Sequence, residues 1–95
     1  MFAVIRHYHF KPQDGPQIDQ MIQEGFVPII KKAQGFVRYY WLDTGAGEGA
    51  SVGIFKSKAG ADESIALAAD YIKHHLSKVL TQKPEIIEGP IKAHD

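Results

Sequence analysis

Apolar residues along the chain change their spacing four times, and each change marks an element. From Phe2 to Phe10, FAVIRHYHF, β-branched and aromatic residues crowd together and predict a strand. KPQDGP then carries two prolines, an aspartate and a glycine, and predicts a turn. Beyond it the period lengthens. Ile18, Ile22, Phe26 and Ile29 or Ile30 fall on one helical stripe, with Met21, Gly25 and Ala33 beside it. Pro16 suits the first helical position. Pro28 lacks an amide donor, which predicts a kink or break near Phe26, and Gly35 supplies a stop. GFVRYYWLD, from Gly35 to Asp43, is a second strand, TGAGEG a loop, and ASVGIFKS a third strand that closes a hairpin. Ser57 is placed to cap a helix whose Ala61, Ile65, Ala68, Ile72, Leu76 and Val79 recur every three or four residues. TQKP ends that helix. EIIEGPIKAH is a last strand, and Gly89 and Pro90 inside it predict an edge or a bulge.

The order β-α-β-β-α-β is that of the ferredoxin-like split βαβ unit, an α+β fold in one domain, residues 1–95. Right-handed crossovers put both helices on one face of a four-stranded antiparallel sheet, with the first and third strands in its centre. The other face is expected to be polar if water covers it. The pattern disagrees. Phe2, Val4, Tyr8 and Phe10 oppose Ala3 and Ile5; Phe36, Tyr40 and Leu42 oppose Val37, Tyr39 and Trp41; Val52 and Ile54 oppose Phe55. Two helices cover one set only. Burying the other against a second copy of the chain, in a symmetric homodimer, avoids a large exposed apolar patch.

Composition narrows the partners. Of the 95 residues 44% are apolar, too many for a disordered chain. Eleven basic residues balance eleven acidic ones, so no bulk electrostatic attraction to nucleic acid or anionic membrane is expected. There is no cysteine, so disulfides and thiolate–zinc sites are excluded. The first residues do not read as a signal peptide, and no apolar run approaches the roughly 18 residues of a membrane span. A cytoplasmic protein is the expectation.

The residues that could carry chemistry cluster in two strands. His7 and His9 share one face of the first strand, their side chains rooted about 7 Å apart. Metal chelation needs a third ligand, and the strand itself offers no carboxylate beside them, so no metal and no cofactor are expected. Strand histidines facing solvent are the simpler reading. His74 and His75 are neighbours on a helix, about 100° apart, and read as surface residues near its C-terminal half. His7 or His9 could instead serve as a general base, since imidazole titrates near neutral pH. Arg6 and Arg38 could hold a developing oxyanion. Tyr39, Tyr40 and Trp41 could form an aromatic wall, with Gly49, Ser51 and Gly53 leaving room beside it. The pocket is lined either by Arg6, Tyr8, Arg38 and Tyr40 or by His7, Tyr39 and Trp41. Strand register decides between them.

The order of elements, together with GFVRYYWLD, TGAGEGASVGIFKS and AGADES, resembles the dimeric α/β-barrel superfamily, and within it the small antibiotic-biosynthesis-monooxygenase-like proteins. The resemblance spans nearly the whole chain as a pattern of elements. It implies a dimer that pairs its sheets face to face and a ligand pocket between sheet and helices. It also implies a small-molecule-binding protein related to oxygenases that act on aromatic or quinol-like substrates without metal or flavin. On that reading His7 and Arg6 are the catalytic candidates, and Tyr8, Arg38, Tyr39, Tyr40 and Trp41 the substrate-binding ones. The chain contains no asparagine. The Asn-Trp-His set of haem-degrading relatives and the pocket asparagine of actinorhodin-type oxygenases therefore have no counterpart. The alternative is a non-enzymatic binding or assembly domain whose pocket is filled by its own side chains.

Overall fold

Four strands hydrogen-bond in the order β2-β3-β1-β4, all neighbours antiparallel, in a computed structural model that describes every residue from Met1 to Asp95. They are β1 (Phe2–His9), β2 (Phe36–Gly45), β3 (Glu48–Phe55) and β4 (Glu85–Pro90). The first and third strands are central, as the element order predicts. β4 is an edge strand, where the missing amide of Pro90 breaks no ladder. The helical layer lies on one face and comprises α1 (Gly15–Met21), α2 (Val27–Ile30) and α3 (Lys58–Tyr71). The fold is ferredoxin-like α+β.

The first helical stretch does not break at Pro28. A π-helical turn, Ile22–Phe26, precedes it, and α2 carries on from there. Within this turn the Val27 amide bonds the Ile22 carbonyl, one residue further back than in an α-helix. The widened turn accommodates a proline that has no amide and would crowd the carbonyl four residues before it. Tyr71 crosses from α3 and donates its hydroxyl to the Met21 carbonyl at 3.0 Å. Gly25 makes that reach possible, since a Cβ there would strike the Tyr71 hydroxyl. α3 likewise passes into a π-helical turn, Ile72–Leu76, rather than running as one α-helix towards Leu80.

TGAGEG is strand for most of its length. β2 runs through Gly45, and only Ala46 and Gly47 form the turn, with φ of +56° and +79°. Positive φ at both central residues is the two-residue hairpin geometry that matches strand twist. Gly47 has no substitute, because a Cβ would strike the Phe10 carbonyl.

A bulge at the start of β2 resets the face of the residues from Arg38 to Asp43. Phe36 pairs with Phe55 and Arg38 with Ile54, so Val37 is an extra residue. Phe36 therefore shares the helix-facing side with Tyr39 and Trp41, not with Tyr40 and Leu42 as simple alternation predicts. The covered side comprises Val4, Arg6, Tyr8 and Phe10 from β1 and Ser51 and Phe55 from β3, packed on Ile18, Ile22, Phe26, Ile30, Ala61, Ala68, Tyr71 and Leu76. The open side carries Ile5, Tyr40, Leu42 and Ile87, all exposed, with Val52 and Ile54 between them. Both faces are apolar, and the chain alone covers one.

Gly60 sits in the first turn of α3, which Ser57 caps by accepting from the Gly60 amide. A Cβ at this glycine would collide with the backbone carbonyl of Gln34. Alanine ordinarily strengthens a helix, so the sign here is decided by the clash. Gly60→Ala is expected to destabilise the fold by about 1–3 kcal/mol in urea unfolding, the usual cost of overpacking. An unchanged or raised midpoint would contradict this packing.

Candidate functional site

Alternation along β1 separates the two catalytic candidates. Arg6 points into the helix-facing interior, where it is 2% exposed. His7, the next residue, points to the open face. A base at His7 and an oxyanion holder at Arg6 therefore do not meet around one ligand within one chain. The two lining sets are also divided differently. Arg6, Tyr8, Tyr39 and Trp41 share the interior side, while His7, Arg38 and Tyr40 lie on the other, because the Val37 bulge shifts β2 by one residue against the pattern.

Arg6 is a buried cation with no carboxylate partner. Its Nη2 donates to the Ser64 carbonyl at 3.2 Å, while Nε has no partner. Ser64 is fixed in turn, its hydroxyl donating to the Ala61 carbonyl at 2.6 Å. Beside Arg6 lie Tyr8, Ser51 and Tyr39. The buried hydroxyls of Tyr39 and Ser51 lie near enough for Ser51 to favour the ionised phenol, but neither completes a well-aligned hydrogen bond. Burial raises both the Tyr8 and Tyr39 phenols above their ordinary range, most for Tyr39, with Arg6 and Ser51 pulling only partly back. Both phenols stay protonated and remain donors at neutral pH. Buried polar atoms almost always have partners, so three poorly satisfied ones beside each other single out a candidate site.

Two openings flank this group. At the β2 edge a cleft of about 390 Å³ is lined by Asp19, Ile22, Gln23, Val27, Tyr39, Tyr40 and Trp41. Trp41 is held by Nε1 donating to Asp19 Oδ1 at 2.7 Å, and its ring meets Tyr8 edge-on at 5.2 Å between centroids. At the β4 edge a recess of about 170 Å³ is lined by Arg6, Lys73 and Lys83 with Ala69, Ile72, Pro84 and Ile86, and no acidic residue. Between the openings, the space bounded by Tyr8, Ile22, Phe26, Ala68, Tyr71, Ile72 and Leu76 is closed by packing. Gly49 and Gly53 leave no spare room either. Trp41 lies over the first and Phe55 over the second.

No histidine lines either opening. His75 is exposed and stacks on Tyr71, and His74 bonds the Asp70 carbonyl. Asp19 is the cleft residue that the pattern conceals. It follows Ile18 on the helical stripe and reads as a solvated carboxylate until Trp41 is brought against it. On the open face His7 Nε2 donates to Glu48 Oε1 at 2.8 Å, and Glu85 Oε1 lies 3.4 Å from His7 Nδ1 and 3.5 Å from His9 Nε2. One donor atom each from His7, His9 and Glu48 lie within 4.8 Å of one another.

An arginine kept in the interior without a counter-charge costs stability. Arg6→Met, which retains the stem volume, is expected to raise the unfolding free energy by about 1–3 kcal/mol in urea. A loss of stability would show that Arg6 is a structural strut instead.

No protein-family model matches the chain, and no curated protein matches it by sequence. Solved structures do match in three dimensions. A protein of unknown function, NE2512 of Nitrosomonas europaea, superposes with a TM-score of 0.83 at 17% identity, over 99% of this chain and 91% of that one. A monooxygenase from the gene ActVA-Orf6 of Streptomyces coelicolor, solved with nanaomycin D, gives 0.80 at 12% identity, over 99% and 89%. A dimeric ferredoxin-like protein from an uncultured marine organism gives 0.74 at 14% identity, over 99% and 96%. No helix of this chain is long and apolar enough to cross a membrane. The chain thus has the ferredoxin-like fold that antibiotic-biosynthesis-monooxygenase-like structures share.

Proposed function

We propose that this chain is a small-molecule-binding homodimer whose ligand is a planar aromatic acid, such as a hydroxyquinone, a quinol or a phenol. The carrying observation is Arg6, buried without a carboxylate and flanked by the orphaned hydroxyls of Tyr39 and Ser51. A phenolate or enolate oxygen supplies the charge that Arg6 lacks and accepts from the hydroxyls. The cleft at the β2 edge, walled by Tyr39 and Trp41, supplies an aromatic surface of ligand size. The fold likeness to a monooxygenase solved with nanaomycin D supports oxygenation of an electron-rich ring as the reaction to test. On this reading the base beside the cleft is Asp19, since His7 lies across the sheet. A ligand that sits in the aromatic cleft and also reaches Arg6 requires the packed space between the openings to yield. That packing favours the second reading, a non-enzymatic domain filled by its own side chains.

The second copy covers the open face. Ile87, 66% exposed, and Ile5, Tyr40 and Leu42 form an apolar surface no element of this chain reaches. A shared face of about 800 Å² per partner is sufficient for a stable pair. The likeness to a dimeric ferredoxin-like structure supports self-association.

Trp41 is the only tryptophan, so its fluorescence reports the cleft. Titration with hydroxynaphthoquinones and phenols is expected to quench it saturably. O-methyl ethers and the Arg6→Met variant should bind at least about tenfold more weakly, the loss of one charge-assisted hydrogen bond. Oxygen uptake with the corresponding quinols then separates the two readings. Absence of both quenching and uptake across the panel favours the filled domain. In sedimentation velocity the wild-type chain is expected as a dimer, and a Leu42→Glu/Ile87→Lys variant as a monomer. A wild-type monomer at micromolar concentration refutes the pairing.

A further inference from the structure

We infer that His7, His9 and Glu48 form a binding site for a first-row transition-metal ion, such as Zn²⁺ or Cu²⁺, on the open face of the sheet beside the hairpin, with Glu85 as its supporting carboxylate. The site is assembled across three strands. His7 and His9 lie two apart on β1, Glu48 opens β3 opposite His9, and Glu85 opens β4 opposite His7. The sheet register thus delivers the third ligand and the supporting carboxylate that the first strand lacks.

Three observations carry the assignment. The imidazoles converge, their ring centroids 4.4 Å apart and nearly edge to face, although their Cα atoms are spaced by two residues. One donor atom from each of His7, His9 and Glu48 lies within 4.8 Å of the others. Ligands at normal bond lengths around a tetrahedral ion stand about 3.3 Å apart, so closure needs only side-chain adjustment. Finally, His9 Nε2 is buried and has no hydrogen-bond partner. Glu85 Oε1 lies 3.5 Å from it. An imidazole nitrogen shielded from water and unbonded beside carboxylates is free to ligate a cation.

The donor set selects the ion class. Two imidazoles and one or two carboxylates suit zinc, copper and nickel, whereas magnesium and calcium favour all-oxygen shells. Glu85 Oε1 stands 3.4 Å from His7 Nδ1, where a carboxylate fixes the ring of a ligating histidine and raises its basicity. On binding, the ion takes the place of the proton now shared between His7 Nε2 and Glu48 Oε1. All four side chains belong to one chain and none lines the aromatic cleft. The site therefore stands or falls independently of the proposed ligand, and it shares the open face with the apolar residues of the proposed pairing.

Calorimetric titration of the untagged chain with Zn²⁺ and with Cu²⁺, and with Mg²⁺ as control, tests it. One Zn²⁺ or Cu²⁺ per chain is expected, with no saturable heat from Mg²⁺. Glu85→Gln should weaken binding about tenfold and His9→Gln by more. A His74→Gln/His75→Gln variant should bind like wild type. The electron paramagnetic resonance spectrum of the Cu²⁺ complex should show nitrogen coupling from two imidazoles, and it reads the ligands without any substitution. The assignment is overturned by the absence of saturable binding of either ion. It is equally overturned by full affinity in His9→Gln, by loss of binding in the helix variant, or by a spectrum without histidine nitrogens.

Discussion

Successive side chains on a strand leave opposite faces of its sheet, and that rule applied to β1 divides the molecule's chemistry in two. Arg6 goes inward with Val4, Tyr8 and Phe10. His7 and His9 go outward with Ile5. The inward group meets helices and is largely buried, and its one cation makes its single protein hydrogen bond to a backbone carbonyl of the helical layer. The outward group meets the carboxylates at the ends of neighbouring strands. A register slip would exchange the two sets and expose the apolar residues now covered, yet still leave Arg6 and His7 on opposite faces.

The interior half carries an unfavourable arrangement that the fold tolerates. A domain of this size has little stability to spare, and charged side chains are almost never fully buried unpaired. Arg6 nonetheless has a single carbonyl bond where its guanidinium could make five. The orphaned Tyr39 and Ser51 hydroxyls lie near it, and burial keeps the Tyr39 phenol protonated. Groups left unsatisfied in packed protein commonly mark function, because packing alone would have replaced them with apolar side chains. The aromatic cleft and the cationic recess at opposite sheet edges give this group two approaches from solvent.

The outer half shows how strand pairing builds what a linear pattern omits. In sequence, His7 is 41 residues from Glu48 and still further from Glu85. Antiparallel pairing on both sides of β1 puts the two carboxylates around the imidazoles. The same face carries the exposed Ile5, Leu42 and Ile87, so a polar cluster and an apolar patch share the surface that the helices leave uncovered.

The sequence alone determined the element order, the ferredoxin-like topology, the central position of the first and third strands and the apolar character of both faces. These depend on period, turn chemistry and handedness, which are local or nearly so. It also marked Arg6, Tyr39 and Trp41 as residues of interest by type. Tertiary structure decided where each one points. The extra residue Val37 moved Tyr39 and Trp41 to the side of Arg6, and no local signal distinguishes a bulge from continued alternation in an aromatic run. Pro28 follows a π-helical turn instead of ending the helix, and Tyr71, from the other helical segment, bonds the Met21 carbonyl just before that turn. Asp19 joined the cleft, and Glu48 and Glu85 joined the histidines, through contacts between distant segments. Such contacts depend on the register of whole strands, a property of the folded sheet rather than of any stretch within it.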